Sequence, residues 1–389
     1  MYKDPIAVKK KKESLSIVDL GYNSIKISTY DVYKNGQYKK QGQQQEYIQI
    51  GYNLLRNDNL IDDQNVERAA NFLKKSKDDL KQIKNNTVIP IATSAVRDAD
   101  NGKDVVKTLK KKSGLEFNVL SGLEEGFFSY LGAQSIMRTP NALFFDLGGG
   151  SIEIIQVQDY IIKKIICLNL GALRLTEKFV KFDEKLEDKS SYGLLEKFLY
   201  ANMPTIDQFD IDDKTVRDIK LVGIGGTVRA IHKFILGIFQ RPIPLSHNHA
   251  TMTKKMVDLS NDVFKRLSQE ELMQIKSVDK QRSKTITAGS CVVKVLMDKL
   301  GFDDLLVCPA GIREGILENY LYFSMDKKHR QRKKFIGLNY VNVNSIIYSD
   351  SLDRFSKNNV KPSPIVLFGS QGENFPKKII STKLGKTKD

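Results

Sequence analysis

The order of apolar runs and glycine turns predicts an α/β protein whose two lobes close on a cleft. Three observations carry this. Leu143 to Ile155 sets Gly148, Gly149 and Gly150 between two strand-type runs, with Asp146 and Glu153 flanking the turn. Leu15 to Ser28 repeats the pattern near the N-terminus, as strand, Asp19-Leu20-Gly21 turn, strand. A third glycine turn, Gly223 to Thr227, follows an apolar strand and leads into the helical spacing of Val228, Ile231, Phe234 and Ile235. One copy alone also reads as an ordinary glycine-rich hairpin. Two copies argue for a duplicated fold, and loops more than a hundred residues apart in sequence can face one another only across a cleft.

The remaining elements follow from periodicity. After the first hairpin, Glu46 to Ile50 reads as a third strand, and residues 64–84 place Val66, Ala69, Ala70, Leu73, Leu80 and Ile83 at helical spacing. Thr87 to Ile91 is a strand, Thr93 to Arg97 a loop, Asp98 to Lys112 a helix and Glu116 to Leu120 a strand. Residues 122–137 form a helix that starts at a Ser-Gly turn and carries Glu124 and Glu125 in its first turn. The order then repeats, with strands at Asn141 to Phe145, Ile152 to Val157 and Tyr160 to Leu168 and helices across 171–202. A strand at Lys220 to Val222 follows, then helices at 252–266, 268–276, 283–300 and 310–323, with a strand at Leu305 to Cys308. The domain reading is a first lobe over 1–140, with the 310–323 helix packing back on it, a second lobe over 141–323, and a basic extension over 324–389 that opens on Lys327 to Lys334.

A surplus of 62 basic over 46 acidic residues leaves +16 across 389 residues. That field attracts polyanions, polyphosphate or nucleic acid alike, and a generally lysine-rich surface explains it equally well. Cys167, Cys291 and Cys308 lack CxxC spacing, so neither a zinc site nor a disulfide framework is indicated, which fits a reduced cytoplasm. No apolar run is long enough to span a bilayer, and Met1 to Lys12 lacks the apolar stretch of a secretory signal. His247 and His249 share a loop after Pro242 and Pro244 and receive no metal.

Consecutive glycines let backbone N–H groups approach an anion, and Asp146 with Glu153 supplies two hard oxygens suited to a partly hydrated Mg²⁺. Neither GxGxxG between strand and helix nor GxxxxGK[ST] occurs. Five elements follow in order: Thr93 to Arg97 with Asn101, Leu120 to Gly126, Asp146 to Glu153, Gly223 to Arg229, and Gly311 to Leu317. Together they resemble the exopolyphosphatase and guanosine pentaphosphate phosphohydrolase family over residues 14–322. That family belongs to the acetate kinase, sugar kinase, actin and chaperone ATPase superfamily, so the resemblance implies two ribonuclease H-like lobes of the actin-like ATPase fold. It also implies an exopolyphosphatase that uses Mg²⁺ or Mn²⁺, with guanosine pentaphosphate as the alternative substrate and a non-catalytic polyphosphate or alarmone sensor as the other reading. A membrane or nucleic-acid partner is not expected, and a homodimer follows by analogy only.

Carried over residue by residue, the resemblance makes Glu125 the general base, with Glu124 as fallback. An acidic first helical turn explains one of the two without catalysis. Arg97 is the guanidinium aimed at phosphate oxygens, and Asp146 and Glu153 are the metal ligands. Asp19, Gly21, Asn23 and Ser24, then Gly148, Gly149, Gly150 and Ser151, then Gly225, Gly226 and Thr227 are the phosphate-binding loops. Arg313 and Glu314 are expected to tie the last helix to the first lobe. Three departures stand out. Tyr22 replaces a small serine, Ile152 replaces a threonine, and Arg282-Ser283-Lys284 stands where relatives have Arg-Ala-Asp. Longer relatives add a helical metal-phosphohydrolase domain, for which this chain has neither the length nor a His-Asp pair.

Overall fold

The computed structural model describes residues 11–34, 36–180, 189–209, 211, 219–239, 250–324 and 382–383. His247, His249 and the basic run 327–334 lie outside them, so those expectations stay unexamined.

Two six-stranded sheets share a central order, a three-stranded antiparallel meander beside a parallel strand. In the first, β1 (Lys11–Leu20) pairs antiparallel with β2 (Ile25–Tyr33), β2 with β3 (Tyr38–Glu46), and β1 runs parallel to β4 (Asn86–Ala92). Both β5 (Asn118–Val119) and β12 (Thr382–Lys383) pair with β4. In the second sheet, β6 (Ala142–Leu147), β7 (Ile152–Gln158) and β8 (Ile161–Leu168) form the antiparallel meander. There β6 runs parallel to β9 (Lys220–Ile224), β9 to β11 (Asp304–Val307), and β10 (Ala250–Thr253) closes the edge. The duplication read from the two glycine hairpins is therefore a duplication of the whole meander-plus-parallel layout.

Helices α1 (Asp63–Gln82) and α3 (Gly102–Ser113) join the first sheet in one core. The second core is larger, with α5 (Ala172–Phe179), α6 (Lys189–Asn202), α7 (Gly226–Ile238), α8 (Lys254–Phe264), α9 (Gln269–Gln274) and α11 (Ile286–Leu300) supplying apolar side chains to it. Between the sheets cross α4 (Gly122–Met137) and α12 (Ile312–Ser324). α4 lies on β6, β7 and β8 although it precedes them, whereas α12 reaches back to β1. The crossing is tight: an added Cβ on Gly315 would stand 1.8 Å from the Phe128 carbonyl oxygen, and one on Gly132 2.1 Å from that of Gly311.

Some elements differ from the sequence reading. The third strand is Tyr38–Glu46, not Glu46 to Ile50. It is an exposed edge of Lys, Gln and Glu without apolar alternation, held by its ladder with β2, while Ile48 and Ile50 are buried from a turn after it. The expected loop at Thr93 to Arg97 contains a short helix, α2 (Ser94–Asp98), so the following helix starts only at Gly102. The strand at Glu116 to Leu120 shrinks to two paired residues, and β10 and the short α10 (Lys280–Ser283) carry no periodic signal. Ile152 is fully buried in the second core, so its missing hydroxyl faces no phosphate.

The α5 helix docks the second sheet onto the first. Leu173 belongs to the first core, the backbone N–H of Asn53 donates to Glu177 Oε1 at 3.0 Å, and Arg56 donates to the Glu177 carbonyl. Burial pushes the Glu177 carboxyl up to about 7 against the Asn53, Arg174 and Arg56 contacts that pull it down, and its Oε2 has no hydrogen-bond partner. Between the unperturbed carboxyl value of about 4.3 and about 7 the folded state binds the extra proton, so stability falls as pH rises through that window. Glu177→Gln is expected to stabilise the protein at pH 8 by on the order of 2 kcal/mol and to do nothing at pH 4. Thermal melts at the two pH values decide it; equal gains at both would show that the charge is not the cost.

Candidate active site

The three glycine loops meet where the sheets face each other. In the first hairpin, β1 ends at Leu20, the Gly21 N–H donates to the Ser24 carbonyl at 3.1 Å, and Asp19 stands opposite Lys26 in the ladder. In the second, Gly148 N–H bonds the Ser151 carbonyl at 3.0 Å and Asp146 stands opposite Glu153. The third turn leads into α7 through Gly225, whose φ of +107° and whose approach to the Leu147 carbonyl, 2.6 Å from an added Cβ, exclude any other residue.

One cavity gathers Asp19, Gly21, Asn23 and Ser24, Gly148 and Gly149, Gly225 and Gly226, with Glu125 and Asp146. The other expected site residues stand behind its wall. Gly150 packs against the Tyr22 ring and Ser94, Ser151 and Thr227 are buried, and Glu153, beside Asp146 in the ladder, is 1 % exposed. Arg97 is not in the wall either. Its Nη1 donates to Glu125 Oε2 at 2.7 Å and to the Leu120 carbonyl at 3.3 Å, and its Nε to Asp98 Oδ1 at 3.0 Å. The expectation of a bidentate grip on phosphate gives way to a guanidinium that holds the carboxylate.

Glu124 and Glu125 divide their roles through the helix start. Ser121 caps α4 and the Glu124 carboxylate accepts from the Ser121 N–H and hydroxyl, a complete capping box that leaves Glu124 committed. Glu125, one residue on, lines the cavity. Burial pushes it up to about 7, with Arg97 pulling it down and Asp146 and Asp19 pushing further. Glu153 is raised well above the usual carboxylate range by burial, then by Glu125 and Asp146, and its Oε1 is buried without a donor. Asp146 is raised too, by burial, against a hydrogen bond from Ser129.

Repelling buried carboxylates around an orphaned oxygen fit a divalent cation. Among the described residues no three His, Cys, Asp or Glu side chains cluster closely enough to hold one alone. Asp146 and Glu153 would give such a cation two ligands, which suits one that keeps waters and takes phosphate oxygens.

Sequence reasoning did not place four cations in the wall, Lys26, Arg229, Arg282 and Arg313, and read Arg313 only as a tie of the last helix. Lys26 is pushed down to about 7 by burial, then by Arg313, with Arg282 and Arg229 adding to it against the pull of Asp19. Arg229 is lowered by burial, then by Arg282 and Arg313. The neighbouring guanidiniums act against the charge on Lys26 and Arg229, whereas, against burial, Asp19 and Glu314 hold Arg313 above its ordinary value. Arg313 Nη1 donates to Asp19 Oδ2 at 3.0 Å, and Glu314 accepts from the Tyr30 hydroxyl at 2.9 Å, so both do tie α12 to the first sheet while also facing the cavity. Lys284 does not line it; Arg282, two residues earlier, does. The hairpin register could have found Lys26, which pairs with Asp19 across a turn whose length is visible in sequence. Nothing local marks Arg282.

Residues 40–322 match the model of the Ppx/GppA phosphatase family. The chain belongs to this family. A bifunctional 3-dehydroquinate synthase/phosphatase of Fusobacterium nucleatum is 27% identical over 305 residues, 75% of this chain but 44% of the relative, so the chain spans under half of that protein. Exopolyphosphatase 1 of Mycobacterium bovis is 22% identical over 311 residues, covering 78% of this chain and 87% of the relative. Two solved structures share the fold. An exopolyphosphatase from Cytophaga hutchinsonii has a TM-score of 0.70 at 18% identity, and the Aquifex aeolicus Ppx/GppA family member 0.63 at 22%; each covers 81% of this chain and 99% of its own. Among the described residues no helix is long and apolar enough to cross a membrane.

Proposed function

We propose that this chain hydrolyses the terminal phosphoanhydride of inorganic polyphosphate, releasing orthophosphate. The observation that carries the reading is the cluster of Lys26, Arg229, Arg282 and Arg313 in a wall shared with three glycine loops. Cations gathered in one wall gain from a ligand that brings several negative charges at once, as a chain of phosphates does. The terminal phosphoryl group sits against the Gly148–Gly149 turn, the next phosphates on the cations, and Glu125 takes the proton of the attacking water. A carboxyl near 7 is matched to that task. Asp146 and Glu153 would hold Mg²⁺ or Mn²⁺, which would supply positive charge to the transferring oxygens. Several relatives are exopolyphosphatases, among them one matched over 87% of its length.

The same loops accept the terminal phosphate of guanosine pentaphosphate, so the test measures both. Phosphate release from long-chain polyphosphate and from guanosine pentaphosphate is compared side by side, with Mg²⁺ and with EDTA. Faster metal-dependent release from polyphosphate is expected. Faster release from the nucleotide would reassign the substrate, and tight polyphosphate binding without turnover from either would make the chain a sensor.

A further inference from the structure

We propose that Arg174 and Asp98 are positioning residues that fix the Glu125 carboxylate relative to the phosphate loop across the two lobes; this rests on the reading of Glu125 as base. The contacts form one continuous chain. Glu125 Oε2 accepts from Arg97 Nη1 at 2.7 Å, Arg97 Nε donates to Asp98 Oδ1 at 3.0 Å, and the other Asp98 oxygen accepts from Arg174 Nη2 at 2.7 Å. Arg174 then donates through Nε to the Gly150 carbonyl at 2.9 Å. The side chains of the four residues are between 9% and 17% exposed. Each charge along the path therefore meets an opposite one out of bulk water, where the loss of a partner is costly.

The two ends give the chain its meaning. Arg174 sits in the first turn of α5, where the N–H groups of Gly171, Ala172, Leu173 and Arg174 donate to the carbonyls of Gly148, Gly149 and Gly150. Those bonds hold the loop's carbonyls on the start of the helix. The guanidinium adds the last grip on that loop and lies 5.2 Å from the centre of the Tyr22 ring, which locks its plane. At the far end Arg97 holds one oxygen of the Glu125 carboxylate in the wall. Arginine suits the middle position because a planar fork reaches Gly150 and Asp98 at once, which a lysine cannot do. Displacement of a base by about 1 Å from the water it activates costs on the order of 10²-fold in rate.

Steady-state phosphate release from polyphosphate is measured for Arg174→Lys, Asp98→Asn, the double variant Asp98→Asn/Arg174→Lys and Glu125→Gln, with thermal melts of each. For the two single variants kcat is expected to fall roughly 10- to 100-fold with KM within about threefold, since orientation and not phosphate affinity is lost. The double variant should be no slower than the worse single, because the residues act as one unit. Wild-type kcat in Arg174→Lys and Asp98→Asn, losses that multiply in the double variant, or losses that track a fallen melting temperature would each overturn the proposal. Glu125→Gln separates the two readings. If it is inactive while the Arg174 and Asp98 variants are normal, only the positioning role falls; if it is active, the base assignment falls and takes the positioning role with it.

Discussion

Replacing Glu125 by glutamine is expected to lower kcat for phosphate release by about 10²- to 10⁴-fold while leaving the fold intact. The glutamine carbonyl can still accept from Arg97 Nη1, so the 2.7 Å contact has a neutral substitute, and burial no longer acts against a charge. The variant should therefore melt no lower than the wild type. The pH profile adds a second signature. With the carboxyl at about 7 in the free protein, the base form is lost as pH falls through 7, and kcat/KM should drop tenfold per unit below it and level off above. A cation on Asp146 and Glu153 would favour the ionised form and move that limb to lower pH. Phosphate release between pH 5 and 9 for wild type and Glu125→Gln checks both. A variant that keeps more than a fifth of wild-type kcat would end the assignment.

That Glu125 and not Glu124 carries this prediction was legible only in part. The sequence showed two glutamates in a first helical turn and allowed that one of them merely stabilised the helix end. The capping box on Ser121 identifies which, since the Glu124 carboxylate is spent on the Ser121 N–H and hydroxyl. The duplicated meander was legible because each copy leaves a strand–glycine–strand trace that local sterics force on the chain. β3 left no such trace, since an exposed edge strand of Lys and Gln is held by its neighbour's ladder and not by its own pattern. The cavity's cations were illegible for a related reason. Lys26, Arg229, Arg282 and Arg313 come from four separate elements, and an arginine on a helix start looks the same in sequence whether it meets solvent or three other cations. Arg97 shows the converse: its motif flagged it correctly as special, but what it grips is decided by α4 arriving beside α2.

Gly315→Ala is expected to be the most destabilising single-methyl addition in the described residues of α4 and α12. A Cβ there would stand 1.8 Å from the Phe128 carbonyl oxygen, 2.6 Å from its carbon and 3.0 Å from its Cα. All three are backbone atoms of α4, so no side-chain rotation relieves the overlap and the helices must separate. Overpacking of this kind costs about 3 kcal/mol, which lowers the melting temperature of a lobe of this size by roughly 6–12 °C. The separation also reaches the cavity, because α4 carries Glu125 three residues before Phe128 and α12 carries Arg313 two residues before Gly315. Phosphate release measured well below the lowered transition should therefore remain reduced, where a purely global loss of stability would restore it. Gly193→Ala is the control, since an added Cβ there meets nothing within 4 Å, and in helix α6 alanine is the better helix former by up to about 1 kcal/mol. If Gly315→Ala melts with the wild type while Gly193→Ala behaves as stated, the spacing of α4 and α12 is not what holds Glu125 and Arg313 at their places in the wall.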